Sequence, residues 1–222
     1  MLIAYAATRN IYHKMIPSMR SLLEHNDAEI LVLAEDDEIP IDIPCRVINV
    51  SGQEYFTGKN KNTVFTYMSL MRLALAKLTD YDKVLYLDVD TIVCDSLLPV
   101  WGIDMGNKYW GAVEEVHGKW KPFGEHYYNA GVSLFNLKKI RENGIDDILI
   151  NCVNRLTCPF PDQDVLNLVC VPERIIPLPV RYNENFATGI TMRPAIVHYA
   201  GYPDYFENKN LPRHEYLDKY LD

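Results

Sequence analysis

The chain has 222 residues and a formal net charge of -8, long enough to bury a substantial core without disulfides and too acidic, with no basic stripe, to suit a nucleic-acid partner. Hydrophobic residues make up 48% and charged residues 23%, proportions of an ordinary globular protein rather than a disordered or membrane-embedded one. No apolar run approaches the roughly 18 residues of a membrane helix, and the apolar start ends at Thr8, too soon for a secretory core. The five cysteines, Cys45, Cys94, Cys152, Cys158 and Cys170, are odd in number and form no CxxC pair. Buried thiols in a reducing compartment are the plainer expectation. Together these features predict a cytoplasmic protein with no integral membrane segment, at most loosely peripheral to a membrane.

In chain order, Leu2 to Ala6 reads as a buried strand. A helix follows, with Ile11, Met15, Met19, Leu22 and Leu23 at helical spacing and Pro17 marking a start or a kink. Glu29 to Ala34 and Cys45 to Val50 read as strands, with "AEDDE" (Ala34 to Glu38) as solvated loop charge. Thr63 to Leu78 reads as one helix, its buried face supplied by Phe65, Met68, Leu70, Met71, Leu73, Leu75 and Leu78. The next strand runs "VLYL" into Asp88 and Asp90. Tyr109 to Val113 and Val132 to Asn136 are predicted strands on either side of an aromatic, polar stretch. Helices are predicted over Leu137 to Asn143, Ile145 to Arg155 and Gln163 to Val169. Ala195 to Gly201 reads as a last short strand carrying His198, ahead of a tail rich in Tyr, Pro and charge. Near-continuous apolar strands alternating with helices predict an α/β domain with a mostly parallel sheet. No internal repeat or Gly/Ser linker divides it.

Two carboxylates one residue apart repel unless a positive group joins them. Aspartates at a strand end also serve simply as turn formers. A haloacid dehalogenase-type phosphatase would use a strand-end DxDx[TV] as nucleophile and magnesium site, but Ile92 stands at the Thr/Val position and the motif follows 87 residues of chain. A nucleotide-sugar glycosyltransferase would use the pair to hold a divalent ion against a diphosphate. Ligands of open α/β sheets gather outside the carboxyl ends of strands, where Asp88, Asp90 and Ala6 to Asn10 all fall.

Four segments stand in an order that decides between these uses: "YAATRN", "MRLALAKLTDYDKVLYLDVDTIV", "YYNAGVSLFNL", and "FPDQDVLN" followed by "IVHYAG". From Tyr5 to Gly201 the set resembles the glycogenin and lipopolysaccharide galactosyltransferase family of retaining glycosyltransferases (family 8). The resemblance implies a GT-A type, Rossmann-like α/β fold in one domain over residues 1–222. Within it, a nucleotide-binding half reaches to about residue 90, a donor-sugar and acceptor half covers 91–201, and a tail covers 202–222. It implies transfer of a hexose, glucose or galactose, from a UDP-sugar to a hydroxyl of a glycan, lipid-linked sugar or protein.

By the same resemblance, Asp88, Asp90 and His198 are metal ligands, and their oxygen and imidazole donors suit manganese (Mn2+), with magnesium (Mg2+) the alternative. Ala6, Ala7, Thr8, Asn10 and Val89 line the nucleotide, and Tyr12 either stacks on the base or packs in the helix face. Family members often have an acidic residue at the position of Thr8. Arg72, Asn129, Ala130, Asp162 and Gln163 face the donor sugar. Asp162 and Gln163 lie nearest the anomeric carbon, and Asp164 is a helix-capping candidate. Gln163 is a poor nucleophile, so front-face attack by the acceptor is favoured over double displacement.

The family's HxxGxxKPW lysine is missing: Asp204 stands there, and Lys59, Lys61, Lys209 and Arg213 are the candidate replacements. That loss keeps a catalytically silent nucleotide-sugar binder as an alternative. Trp110, His117, Trp120, Phe123, His126, Tyr127 and Tyr128 form either an acceptor groove or core packing. Fifteen tyrosines allow self-glycosylation, and the mixed-charge tail lacks a membrane-docking patch.

Overall fold

The computed structural model of the protein describes residues 1–62, 66–116 and 125–221. Its elements in chain order are β1 (Leu2–Ala6), α1 (Tyr12–His25), β2 (Glu29–Ala34), β3 (Arg46–Asn49), α2 (Thr66–Leu70), α3 (Leu75–Leu78), β4 (Val84–Leu87) and β5 (Thr91–Val93). There follow α4 (Leu98–Trp101), β6 (Trp110–Glu114), β7 (Tyr128–Phe135), α5 (Leu137–Glu142), α6 (Ile145–Arg155), α7 (Pro161–Val169), β8 (Ile175–Pro177), β9 (Ile196–His198) and α8 (His214–Asp218).

Seven strands form one sheet in the order β3-β2-β1-β4-β7-β6-β8. The pairs from β3 to β4 are parallel, as is β6 with β8, and β7 alone runs against its neighbours β4 and β6. Strands β1, β4 and β7 are buried along their whole length because hydrophobic layers cover both faces, which is why their sequences read as apolar runs rather than alternations. One layer packs α1 through Met15, Met19 and Leu22. The other packs α3 and α5–α7 through Leu75, Ile140, Leu149 and Val165.

Four departures from the sequence expectation shape the site. The helix expected over Thr63 to Leu78 is interrupted: α2 gives way to a 3-10 turn at Met71–Ala74 before α3, and residues 63–65, with Phe65, lie outside the described residues. The tighter turn carries Arg72 inward, a place where 3-10 geometry often marks function. Helix α1 runs through Pro17, which is buried. Strand β7 begins at Tyr128 and so takes Asn129, Ala130 and Gly131 into the sheet, past a bulge against β6. Finally, β5, too short to show periodicity, pairs with β9 in register Thr91↔His198, and this ribbon brings His198 to the aspartates.

The tail folds onto that ribbon. Tyr199, Tyr205, Leu217 and Tyr220 pack with Ile92 and Val197, the Tyr220 hydroxyl donates to Glu24 Oε2 at 2.7 Å, and Lys219 pairs with Glu24.

Candidate active site

Strand β4 delivers Asp88 to the carboxyl edge of the sheet, where its N–H bonds Gly131 O at 2.8 Å. The turn that follows is fixed from below by hydroxyls. Thr91 Oγ1 donates to Asp88 O at 2.8 Å, so Ser18 must donate to Thr91 (2.9 Å) and Tyr5 to Ser18 (3.1 Å), since each hydroxyl has one proton to give. All three side chains are fully buried.

Across the β5–β9 ribbon, His198 Nε2 lies 3.3 Å from Asp90 Oδ1 and 3.8 Å from Asp88 Oδ2. One ligand atom from each of the three residues lies within 4.8 Å of the others. Neighbouring ligands of an octahedral ion at about 2.1 Å are about 3 Å apart, so with a small inward movement the two carboxylates and the imidazole could hold a divalent cation. The site tolerates no side chain at Gly131: a Cβ there would lie 2.0 Å from His198 Cε1 and 2.9 Å from Asp88 Oδ2.

Arg72 closes the other side. It donates to Asp88 Oδ1 at 2.6 Å and to Ala130 O at 2.6 Å, pairs with Asp162 Oδ2 at 3.0 Å, and stacks 4.3 Å from the Tyr86 ring centroid. Burial works against its charge, but Asp88, Tyr86 and Asp162 more than offset it and hold the guanidinium protonated. Burial also raises Asp88 above the usual carboxylate range, against the pull of Arg72. Asp90 ends below that range, because the charge and hydrogen bond of His198 outweigh burial. His198 ends above an ordinary imidazole: burial pushes it down, and Asp90 and Asp88 push it further up.

The amides meet beside this cluster. Gln163 accepts from Ala130 N at 2.9 Å and donates to Glu115 Oε1 at 3.0 Å. Asn129 donates to the same Glu115 oxygen at 2.8 Å. Asp164 is not the N-cap residue of α7, but its carboxylate receives the N-cap's own N–H, from Phe160 at 3.0 Å, and the Tyr127 hydroxyl at 2.5 Å.

The first-strand loop is built differently from the sequence expectation. Ala7 gives its N–H to Leu33 O at 3.1 Å, so that group belongs to the sheet and not to a base. Tyr12 is 2% exposed, packed in the core with its hydroxyl between Glu35 N (2.8 Å) and Asp36 Oδ2 (3.1 Å). Packing, not base stacking, is its place. The acidic run is not idle solvated charge: Glu35 accepts from Arg9 N at 2.8 Å and from the Tyr67 hydroxyl at 2.9 Å, and Asp36 binds the Arg9 guanidinium. Thr8 donates to Asn10 Oδ1 at 2.6 Å, and Val89 is half-buried between the aspartates.

Of the expected acceptor aromatics, Trp110, Tyr127 and Tyr128 are core residues, with Trp110 Nε1 on Ser133 Oγ at 2.9 Å. His126 is exposed on Glu114 at 2.9 Å, and His117, Trp120 and Phe123 lie outside the described residues. Among the replacement cations, Arg213 is committed to Glu184 (2.8 Å) and Thr191 O (2.6 Å), and Lys59 and Lys209 are exposed. Lys14, absent from the sequence expectation, reaches Pro203 O at 3.4 Å and lies over the Tyr205 and Phe206 rings at 5.4 and 5.6 Å, in the segment around Asp204. Glu115, which receives both amides, and Asn183, whose side chain lies 2.8 Å from His198 Nδ1, are also absent from the sequence expectation. Glu115 ends an apolar strand as Asp88 does, a signal that could have found it; Asn183 follows a 3-10 turn and carries none.

The family model for glycosyl transferase family 8 matches residues 2–203. A putative glycosyltransferase of Haemophilus influenzae is 35% identical over 47% of this chain and 36% of its own length. The glycosyltransferase GlyD of Streptococcus pneumoniae is 33% identical over 67% of this chain and 19% of its own. The chain thus spans well under half the length of the curated relatives named here. Among solved structures, the galactosyltransferase LgtC, in complex with donor and acceptor sugar analogues, superposes with a TM-score of 0.79 at 24% identity, covering 100% of this chain and 95% of that one. The glycosyltransferase GlyE of S. pneumoniae superposes with a TM-score of 0.75 at 23% identity, covering 99% and 59%. The shared fold is GT-A.

Proposed function

The chain belongs to glycosyl transferase family 8, and from that premise we propose that it is a metal-dependent retaining hexosyltransferase that moves glucose or galactose from a UDP-sugar to a hydroxyl of a glycan, lipid-linked sugar or protein. The observation that carries this is the convergence of Asp88, Asp90 and His198 beside the amides of Asn129 and Gln163. Those three residues would hold Mn2+ or Mg2+, which when bound offsets the charge gathering on the departing nucleoside diphosphate. Arg72 adds a fixed positive charge that needs no reorganisation, while Ala6, Thr8, Asn10 and Val89 border the space for the nucleotide.

For retention, front-face attack fits the side chains better than double displacement. The Gln163 carbonyl is taken up by Ala130 N, and Asp162 is held by Arg72, so neither is placed as a free nucleophile. The phosphatase alternative needs Asp88 as nucleophile, yet its Oδ1 is bound by both Arg72 and Tyr86.

The test is UDP release from UDP-glucose and UDP-galactose with Mn2+. Because such an ion supplies several kcal/mol of transition-state stabilisation, Asp90→Ala is expected to lose at least about 100-fold in rate. Nucleotide-independent phosphoester hydrolysis would favour the phosphatase, and donor binding without turnover the silent binder.

A further inference from the structure

We propose that Asn183, Asn129 and Gln163 form one directed chain of carboxamides, fixed by two backbone N–H groups, through which the Glu115 carboxylate sets the tautomer of the metal-binding His198. This rests on the metal role of His198 proposed above. It makes Glu115 and Asn183 positioning residues for the site.

The direction follows from groups that cannot be turned around. A carboxamide can sit either way round, but a backbone N–H is always a donor. Gly131 N lies 3.0 Å from one terminal atom of Asn129, so that atom is the oxygen, and the other, 2.8 Å from Glu115 Oε1, is the nitrogen. Ala130 N likewise fixes the Gln163 oxygen at 2.9 Å and leaves its nitrogen on Glu115 at 3.0 Å. The Asn183 atom 2.8 Å from the Asn129 oxygen must then be a donor nitrogen. That leaves the Asn183 oxygen facing His198 Nδ1 at 2.8 Å and Asn185 Nδ2 at 3.1 Å. An oxygen there requires a proton on Nδ1. In the neutral ring, Nε2 then keeps its lone pair for an ion held between it and Asp88 and Asp90. Without that ion Asp90, at 3.3 Å, competes to draw the proton to Nε2, and the amide chain is what opposes it.

Asn183, His198, Asn129 and Glu115 are buried, at 0%, 5%, 7% and 8% exposure, and Gln163, at the sugar end, is half-buried. Reversing either asparagine amide would therefore set two acceptors or two donors face to face in a buried setting that offers little water to relieve them. The partner on the far nitrogen of a metal-binding histidine fixes its ring and tautomer, and losing such a partner typically costs about 10–100-fold in metal affinity. Here that partner answers in turn to a carboxylate on the sugar side of the site.

The experiment pairs Mn2+ affinity by calorimetry with nitrogen-15 NMR of the His198 ring in metal-free protein, at a pH that leaves the imidazole neutral. The parent is expected to show the Nδ1–H form. Asn183→Ala should lose that single form and bind Mn2+ about 10-fold or more weakly. Asn183→Asp should keep it, since a carboxylate still accepts from Nδ1–H, while setting an oxygen against the Asn129 oxygen and so weakening UDP-sugar relative to UDP. Glu115→Ala should blur the tautomer, and Glu115→Gln should restore it, because a single oxygen serves both amides. An Nε2–H form in the parent, or an unchanged tautomer in both alanine variants, would overturn the proposal. Failure of the parent to bind Mn2+ would instead count against the proposed function, with the NMR signal still judging the amide chain.

Discussion

At the scale of single residues, the site depends on closeness that only a few side chains permit. Gly131 lies so near His198 and Asp88 that an added methyl group would overlap the imidazole, and both that ring and the β7 backbone are buried and unable to yield. Gly131→Ala is expected to abolish measurable Mn2+ binding and to lower stability by about 1–3 kcal/mol, the usual cost of overpacking. Calorimetric metal titration and urea unfolding would check the two effects separately.

The pH response is set by His198, whose pKa lies above an ordinary imidazole because Asp90 and Asp88 outweigh burial. A histidine must be neutral to bind an ion, so metal affinity should be full above that raised value and fall as pH drops through it. The decline should therefore begin above the ordinary value of about 6.5, with proton release on binding. Mn2+ titrations across pH in buffers of different ionisation enthalpy would show it. Affinity that stays flat until below about 6.5 would contradict it.

At the scale of elements, the sequence was most readable where one element buried one apolar run. The β1 and β4 strands, the α5 and α6 helices and the DxD placement all follow from apolar runs and their ends. Less legible was whatever required a long-range partner. The helix expected over Thr63 to Leu78 breaks because Arg72 finds Asp88, Ala130 O and Asp162, contacts that no local periodicity encodes. The start of β7 at Tyr128 depends on β6, and β5 exists only through β9. His198 was recognisable from its motif, but Asn183, which orients it, was not.

The hydroxyl chain beneath the DxD turn belongs to this scale, since it joins β1, α1 and β5. Thr91→Val keeps the shape but leaves Asp88 O and the Ser18 hydroxyl short of a buried partner. The expected loss is about 1–3 kcal/mol by urea unfolding, with Mn2+ affinity reduced as the turn loosens. Unchanged stability would mean the chain of hydroxyls contributes nothing.

At the scale of the whole molecule, the tail and the acidic run after β2 hold elements together that composition alone does not link. The tail's Tyr199, Tyr205 and Tyr220 bury Ile92 and Val197, and Glu35 and Asp36, expected as solvated charge, knit the β1 and β2 loops together. The tail thus backs the ribbon that carries His198, and brings Tyr205 and Phe206 under Lys14. No described helix is long and apolar enough to cross a membrane. With a net charge of -8, the molecule offers an anionic donor little general attraction. On the proposed function, donor binding rests on the local positive charge of Arg72 and of an ion that Asp88, Asp90 and His198 would hold.

That dependence is most directly tested by calorimetric titration of UDP-glucose and UDP-galactose into the protein, with and without Mn2+, alongside Asp90→Ala. The expected result is binding of at least one of the two that needs Mn2+ and disappears in Asp90→Ala, with a matching rise in thermal stability of about 2.7 kcal/mol when the ligand is at 100 times its Kd. Equal binding with and without the metal, or binding that survives Asp90→Ala, would contradict the account.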